Sequence, residues 1–193
     1  MRCQLHTPWL AVLVSVLQAV VTLPEAKAQS AAAPLQTIAQ LHVQRYLGRW
    51  YEIARFPNKF QKQCISDVSA DYALQPDGQI SVLNQCRLAN GEWERAWGVA
   101  RQVGAEDSAR LKVRFAPDWL SFVPWVWGDY WVIDLDASYG LVAVSEPSRQ
   151  YLWVLSRTPQ VDKPRYEALL QRLEAQGLET QKLRKSSQVL SVN

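Results

Sequence analysis

Apolar and polar residues alternate along much of the chain, in short runs that are separated by turns. Alternation with a period of two is typical of β-strands that bury one face. The turns between the runs contain glycine, proline and aspartate, which end strands. The runs lie at residues 49–56, 66–74, 80–86, 93–102, 110–116, 129–135, 141–146 and 150–157. Eight short strands with no helix between them predict an all-β fold, in which an antiparallel meander closes into a barrel or forms a sandwich.

A helical period follows the last of these strands. Asp162 is a candidate N-cap, Pro164 suits the first turn, and Gly177 suits the C-terminal end. The spacing i, i+3, i+4, i+7 is occupied by Tyr166, Leu169, Leu170 and Leu173. That spacing puts the four side chains on one face of an α-helix. We therefore expect a single C-terminal helix that packs on the outside of the sheet.

The first 28 residues have the pattern of a secretory signal peptide. Arg2 precedes an apolar run from Trp9 to Leu23, and small residues occupy positions 26 and 28. The alternative is a membrane anchor, for which the apolar run is short. Cleavage after Ala28 would release a periplasmic or secreted protein. Because no cysteine stands just after the apolar run, we expect a soluble chain that is not a lipoprotein.

Composition and charge narrow the possible partners. We divide the rest of the chain into a flexible lead at 29–41, a folded domain at 42–185 and a tail at 186–193. The net charge of the whole chain is +3, and no basic run is interleaved with aromatic residues. Such a balance does not indicate nucleic acid as a partner. The chain has nine tryptophans, a residue type that suits cores, pocket walls and interfaces.

Two cysteines, Cys64 and Cys86, remain after the predicted cleavage. An exported protein folds in an oxidising compartment, where an even pair of cysteines indicates a disulfide. A metal site is the alternative, but His42 is the single histidine left to serve as a ligand. We predict a disulfide between Cys64 and Cys86, with no metal and no cofactor.

Three motifs along the chain resemble the signatures of the lipocalin family. They are Gly48-Arg49-Trp50, Gly128-Asp129-Tyr130 and Ser156-Arg157. The longer runs YLGRWYEIARFPNKFQ, GDYWVIDLD and YLWVLSRTP are similar to the bacterial outer-membrane and plant-type lipocalins related to apolipoprotein D. The resemblance covers residues 42–185. It implies an eight-stranded up-and-down barrel with one outer C-terminal helix and a cup for a small hydrophobic ligand.

The resemblance also assigns structural roles to four residues. It places Trp50 at the closed floor of the barrel, with the guanidinium of Arg157 over its ring. Such a desolvated cation–π contact contributes roughly 1–2 kcal/mol. Gly48 lets the chain enter the barrel through a tight turn, and Asp129 belongs to the second motif. Many bacterial members are lipoproteins, and this chain departs from them because it lacks the lipidation cysteine.

Alternation counted from Trp50 and Arg157 predicts which side chains line the cup. The candidates are Glu52, Ala54, Phe56, Tyr72, Leu74, Ile80, Val82, Asn84, Val113, Phe115, Trp127, Tyr130, Tyr151 and Trp153. On the fourth strand the family pattern turns the small residues Ala96, Gly98 and Ala100 inward. Aromatic and aliphatic walls with a few polar groups suit an amphiphile such as a fatty acid or a lysophospholipid. Glu52 either contacts this ligand or forms a structural pair with an inward Arg or Tyr near the floor, because an unpaired carboxylate in a dry core is costly.

The segment PDWLSFVPWVWG, at residues 117–128, is unusually aromatic for a solvated loop. Three roles are open for it. It caps the cup, it touches a membrane surface through Trp119, Phe122 and Trp125, or it makes a dimer contact. Capping is the first choice, and the chain is either a monomer or a homodimer.

Together these features predict a secreted or periplasmic carrier of a small hydrophobic ligand. The resemblance implies a role in envelope lipid maintenance or transfer. The rival interpretation is a lipid-modifying enzyme on the same barrel. The barrel strands contain no histidine, and the chain has no G-x-S-x-G motif and no glycine-rich phosphate loop. We therefore expect a binding protein and not an enzyme.

Overall fold

The computed structural model describes residues 33–189. The predicted signal peptide and the last four residues of the predicted tail lie outside this range. Within it, no helix is long and apolar enough to span a bilayer.

The described residues form one antiparallel sheet of nine strands. Each of the first seven strands pairs with the next along the chain, and β8 pairs back with β1, which closes the barrel. The closed eight-stranded barrel confirms the predicted fold and excludes the sandwich. The strands are β1 (Gly48–Arg55), β2 (Ser66–Leu74), β3 (Ile80–Arg87), β4 (Trp93–Gln102), β5 (Arg110–Arg114), β6 (Gly128–Leu135), β7 (Leu141–Ser145), β8 (Leu152–Ser156) and the added β9 (Arg184–Lys185).

Within residues 33–189, two α-helices flank the barrel, α1 (Val43–Tyr46) before β1 and α2 (Lys163–Ala175) after β8. The Asp162 carboxylate caps α2 by accepting a hydrogen bond from the Arg165 N–H at 3.1 Å. Gly177 follows the last turn with a φ of +79°, the left-handed conformation that a C-terminal stop requires. Leu169 and Leu173 are fully buried against the barrel wall. The predicted outer helix is therefore confirmed, and α1 is an additional short turn.

A β-bulge divides β1 into two halves. Glu52 lies opposite Leu155, but Ala54 lies opposite Val154, so the register shifts between these two pairs. An inserted residue reverses the alternation of the side chains that follow it. Ala54 and Phe56 are consequently buried between the barrel and α2 and do not face the cup. The prediction that these two residues line the cup is wrong, because counting by twos from Trp50 does not allow for the bulge.

The described part of the lead, residues 33–41, lies against the barrel. Leu35 and Leu41 are buried, and the N–H of Ile38 donates to the Val132 carbonyl at 3.0 Å. This differs from the flexible lead that we expected for 29–41. The two leucines explain the difference, because one joins the core under α2 and the other joins the core at the barrel floor.

The described end of the chain, residues 184–189, closes a seam in the barrel. β1 pairs with β2 only over residues 48–51, and β9 pairs with the last two residues of β1. The side-chain amide of Gln188 donates to the backbone carbonyls of Glu52 and Val68, at 2.8 and 2.9 Å. The C-terminal segment therefore joins β1 to β2 where their own pairing stops.

Candidate functional site

The barrel encloses a cavity of about 760 Å³, which opens between the loops at one end. Its volume is in the range of natural small-molecule pockets. The wall includes the following predicted residues: Glu52, Tyr72, Ile80, Val82, Asn84, Val113, Phe115, Tyr130, Tyr151 and Trp153. Their contact with a ligand stays a prediction. The wall is mostly apolar, and its charged side chains lie toward the open end.

The inner face of β4 is built from small residues, as the family pattern implies. Ala96 and Ala100 line the cavity. A Cβ added at Gly98 would lie 2.7 Å from the Phe115 ring, so the glycine lets that ring pack against the strand. Ala96 is exposed to the cavity, so there is free space beside its methyl group. The small face of β4 therefore provides much of the width of the cup.

Leu74 does not line the cavity, contrary to the prediction. It is the last residue of β2, two residues past the point where Tyr72 lies opposite Gly48 at the start of β1. Its side chain is 44% exposed. The alternation along β2 is regular, but the strand extends below the floor, so its last inward position lies outside the cup.

Trp127 does not line the cavity either. Its indole lies between the guanidinium groups of Arg101 and Arg114, at 4.3 and 5.1 Å from the ring centre. Both arginines alternate with cavity-lining residues, so they belong to the outer surface. The indole N–H donates to the Ser121 carbonyl at 2.8 Å. Trp127 therefore anchors the loop before β6 to the outer wall. The sequence alone did not predict this outward orientation.

The floor of the barrel is sealed by the residues of the first and third motifs. The Trp50 ring is fully buried, and the guanidinium carbon of Arg157 lies 4.0 Å from its centre. Gly48 has a φ of +90°, in the region that favours glycine. Arg157 also donates to four carbonyls, those of Arg45, Leu47, Arg49 and Tyr139. The geometry matches the structural roles that the resemblance implies.

Three tyrosine hydroxyls meet at the deep end of the cup. The Tyr130 hydroxyl lies 2.7 Å from that of Tyr46 and 3.0 Å from that of Tyr72. Burial raises the pKa of Tyr72 to about 12 and raises the pKa of Tyr46 and Tyr130 well above 10. All three are uncharged at neutral pH, so the deep end is polar without charge. The sequence analysis did not include Tyr46 among the lining residues, because Tyr46 precedes the first strand and alternation applies only within strands.

Glu52 is buried, and its carboxylate is hydrogen-bonded to three other residues of the protein. One carboxylate oxygen accepts from Arg55 Nη1 at 2.6 Å and from the Ser186 hydroxyl, and the other accepts from Gln61 Nε2 at 2.8 Å. The side-chain oxygen of Gln61 in turn accepts from the Trp153 indole N–H at 3.0 Å. These contacts support the structural-pair alternative, although the arginine lies toward the rim and not near the floor.

Two links hold the walls of the open end. Cys64 and Cys86 form the predicted disulfide, with a Cα–Cα distance of 5.5 Å. It ties the loop after β1 to β3 and stabilises the fold by roughly 3 kcal/mol. Asp129 forms an ion pair with Lys112 at 2.7 Å, which joins β6 to β5.

Across residues 33–189, no cluster of three or more His, Cys, Asp or Glu side chains could hold a metal ion.

Residues 115–127, which we call the aromatic loop, border the mouth of the cup. The loop is held by Trp127 and by an ion pair of Arg114 with Asp118 at 2.6 Å. Its remaining large rings project into solvent, with exposed fractions of 70% for Trp119, 79% for Phe122 and 86% for Trp125. Trp125 also borders the cavity, whereas Trp119 and Phe122 do not line it, so only one of the three exposed rings lies where a cap would.

Comparison with known proteins identifies the family. The sequence model described as a lipocalin-like domain matches residues 41–188. The chain belongs to the lipocalin family, and membership supports the binding of a small hydrophobic ligand. The insecticyanin structure from the tobacco hornworm Manduca sexta matches with a TM-score of 0.63 and 16% identity, over 81% of this chain and 86% of that one. Lobster apocrustacyanin A1 matches with a TM-score of 0.60 and 13% identity, over 78% and 81% of the two chains. At such identities these structures show the fold alone.

Several relatives are much closer in sequence. Temperature-induced lipocalin-1 of Arabidopsis thaliana is 42% identical over 156 residues, which cover 80% of this chain and 83% of that protein. The outer membrane lipoprotein Blc of Escherichia coli K12 is 39% identical over 139 residues, or 72% and 74% of the two chains. Mouse apolipoprotein D is 31% identical over 153 residues, or 76% of each chain. The bacterial relative is named a lipoprotein, contrary to our expectation that this chain is not one. The residues on which that expectation rests lie outside the described range.

Proposed function

We propose that the protein binds and carries a fatty acid or a lysophospholipid in its cup. The observation that carries this proposal is the open cavity of about 760 Å³ with mostly apolar walls. Burying an acyl chain against such walls gains about 25 cal/mol for each Å² removed from water. A cavity of this size accommodates a single-chain amphiphile.

The distribution of polar groups favours one orientation of the ligand. Lys59, Glu94 and Glu146 line the cavity toward its mouth. The tyrosine hydroxyls at the deep end are uncharged. A charged headgroup loses less hydration at the mouth than at the deep end. The acyl chain is therefore proposed to enter first, with the headgroup left at the rim.

Filling the cup tests the proposal directly. Ala96→Trp adds an indole where the wall has free space, whereas Arg95→Trp adds the same ring one residue away on the outer face. We expect Ala96→Trp to lower the affinity for a fluorescent fatty acid by about tenfold or more, and Arg95→Trp to leave it unchanged. Native mass spectrometry with lipid extraction should show a co-purifying amphiphile in the parent protein. A parent protein that is empty and does not bind the fluorescent fatty acid would contradict the proposal.

We propose binding without turnover. The Glu52 carboxylate accepts hydrogen bonds from an arginine, an amide and a hydroxyl of the protein, which occupy three of its about four acceptor positions. Raised pKa values make the buried tyrosines poor general bases at neutral pH. The lipid-modifying alternative predicts chemical change of a bound lipid, which the same lipid extraction would detect.

The proposed location is beyond the inner or plasma membrane, in the periplasm or outside the cell. The Cys64–Cys86 disulfide supports this location, because such bonds persist in oxidising compartments. The relatives named outer membrane lipoproteins support a role in the maintenance or transfer of envelope lipids. Intact-mass measurement of the exported protein would reveal cleavage after Ala28 and any attached lipid.

A second proposed property is contact of the aromatic loop with a membrane surface. The observation that favours it is the exposure of Trp119, Phe122 and Trp125 beside the mouth of the cup. Tryptophan is enriched at membrane–water interfaces. A loop that touched the bilayer there would bring the mouth close to the source of the ligand.

A further inference from the structure

A second, shallower pocket lies beside the mouth of the cup. It has a volume of about 400 Å³ and is formed by the end of β1, the loop after it and β9. Its lining residues are Arg55, Pro57, Asn58, Lys59, Gln61, Lys62 and Arg184. We call this site the basic pocket, because four of its seven residues are cationic and no described residue of its wall is acidic.

The cations of the basic pocket are brought together in an unfavourable arrangement. Arg55 and Arg184 lie directly opposite each other across the β1–β9 pair. Like charges at opposed positions of antiparallel strands destabilise the pairing. Glu52 compensates Arg55, but within residues 33–189 no carboxylate lies within 4.0 Å of the charged groups of Lys59, Lys62 or Arg184. An anion bound between these side chains would remove the repulsion.

The loop that carries the two lysines is fixed in position. The Asn58 side-chain oxygen accepts from the N–H groups of Phe60 and Gln61 at 3.0 and 3.2 Å, and it caps a 3-10 turn at Lys59–Gln61. The disulfide at Cys64 tethers the end of the same loop. The backbone that carries the two lysines is therefore ordered without a ligand, which lowers the entropic cost of binding one.

The basic pocket and the cup share part of their walls. Lys59 and Gln61 line both cavities. The Gln61 side chain lies between them, since it is bonded to Glu52 and Trp153 of the cup wall and to Asn58 of the basic pocket. A ligand with its acyl chain in the cup therefore leaves the barrel next to four cations.

We propose that the basic pocket binds the phosphate of an anionic lysophospholipid whose acyl chain occupies the cup. The proposal rests on the proposed function and narrows it to one class of ligand. Guanidinium groups match the geometry of phosphate oxygens, and lysines add point charges. A headgroup that also carried an ammonium, as in lysophosphatidylcholine, would meet repulsion from the same four cations. The pocket thus selects phosphate headgroups without a positive charge.

The test compares two lipids that differ only in the phosphate. Oleoyl lysophosphatidic acid and mono-oleoylglycerol compete with a fluorescent fatty acid for the parent protein and for Lys62→Gln/Arg184→Gln. Both replaced side chains are exposed. We expect the phosphate to improve the affinity of the parent protein by about tenfold or more, since each hydrogen bond to a charged group contributes substantially. The double variant should lose most of this gain and keep its affinity for mono-oleoylglycerol.

The matched control is Lys163→Gln/Lys185→Gln, which removes the same net charge outside the basic pocket. Lys185 adjoins Arg184 but lies opposite Ala54, so it points to the other face of β9. Equal binding of the two lipids by the parent protein, or an equal loss in the control, would overturn the proposal. Inorganic phosphate that binds as tightly as lysophosphatidic acid would reassign the pocket to free phosphate. If neither lipid binds the parent protein, the proposed function fails as well.

Discussion

Glu52 illustrates how a carboxylate is accommodated in the wall of a mostly apolar cup. Its two oxygens are bonded to Arg55, Gln61 and Ser186, which come from β1, the loop after it and the C-terminal segment. The side chain is only 2% exposed. A buried charge in such a position stabilises the fold only while its partners remain, and its removal leaves them unpaired.

This leads to a prediction for Glu52→Ala. We expect the free energy of unfolding to fall by about 3 kcal/mol, because the partly buried Arg55 loses its counter-charge. Thermal denaturation should show a midpoint lower by roughly 6–12 °C. The control is Glu94→Ala, which removes another carboxylate of the cavity wall with a single bond to Gln63 and should have little effect. A Glu52→Ala protein with unchanged stability but lost lipid binding would instead show that Glu52 contacts the ligand.

The limits of the sequence are equally visible in individual residues. Strong alternation on β5 predicted Val113 correctly as part of the cavity wall, because neighbouring lysine and arginine mark the outer face. Ala54 and Phe56 were misplaced because nothing in the local composition marks the bulge before them. The opposition of Arg55 and Arg184 could not be foreseen, since it depends on which strand a two-residue segment near the end of the chain joins. The local alternation of side chains predicts where strands lie and which face is buried. Bulges and pairings between distant segments depend on tertiary contacts that form only when the barrel closes.

The aromatic loop is an element whose position depends on its two ends. Trp127 and Arg114 fix it to the outer wall, so the exposure of its other rings is not a consequence of a loose chain. Exposed rings of this size are unusual on a protein surface that meets only water. The loop is therefore positioned to present Trp119, Phe122 and Trp125 to another surface.

We predict that Trp119→Ser/Phe122→Ser/Trp125→Ser weakens binding to phospholipid vesicles by about tenfold or more, because each ring gains roughly 1.5–3 kcal/mol on full burial. Co-sedimentation with vesicles measures this effect. Affinity for a fluorescent fatty acid should not change in Trp119→Ser/Phe122→Ser, which keeps the Trp125 ring that borders the cavity. Trp97→Ser provides the control, since Trp97 is 67% exposed on the outer face of β4. The dimer contact would be favoured over membrane contact if the parent protein does not bind vesicles but forms a dimer, and if the triple variant is monomeric.

Closure of the whole barrel depends on both ends of the described chain. Leu35 packs under α2 and Leu41 packs at the floor, and residues 184–189 bridge β1 and β2 near the rim. The same C-terminal segment supplies Ser186 to Glu52 and Arg184 to the basic pocket. The barrel wall, the buried carboxylate and the basic pocket are therefore coupled through one short segment. A change in this segment should affect all three together.

A chain that ends at Leu183 tests this coupling. It loses the backbone bonds between Ser186 and Ile53 and between Asp67 and Ser187, as well as both bonds of Gln188. At about 1 kcal/mol for each hydrogen bond, we expect stability to fall by roughly 3–4 kcal/mol. Amide hydrogen exchange should accelerate at residues 52–55 and 66–69, where β1 and β2 separate, and stay unchanged in β6 and β7. A chain that ends at Val189 keeps every one of these bonds and should behave as the full chain does. If both truncated chains exchange alike, the barrel closes without its C-terminal segment, and the coupling of wall, carboxylate and pocket is wrong.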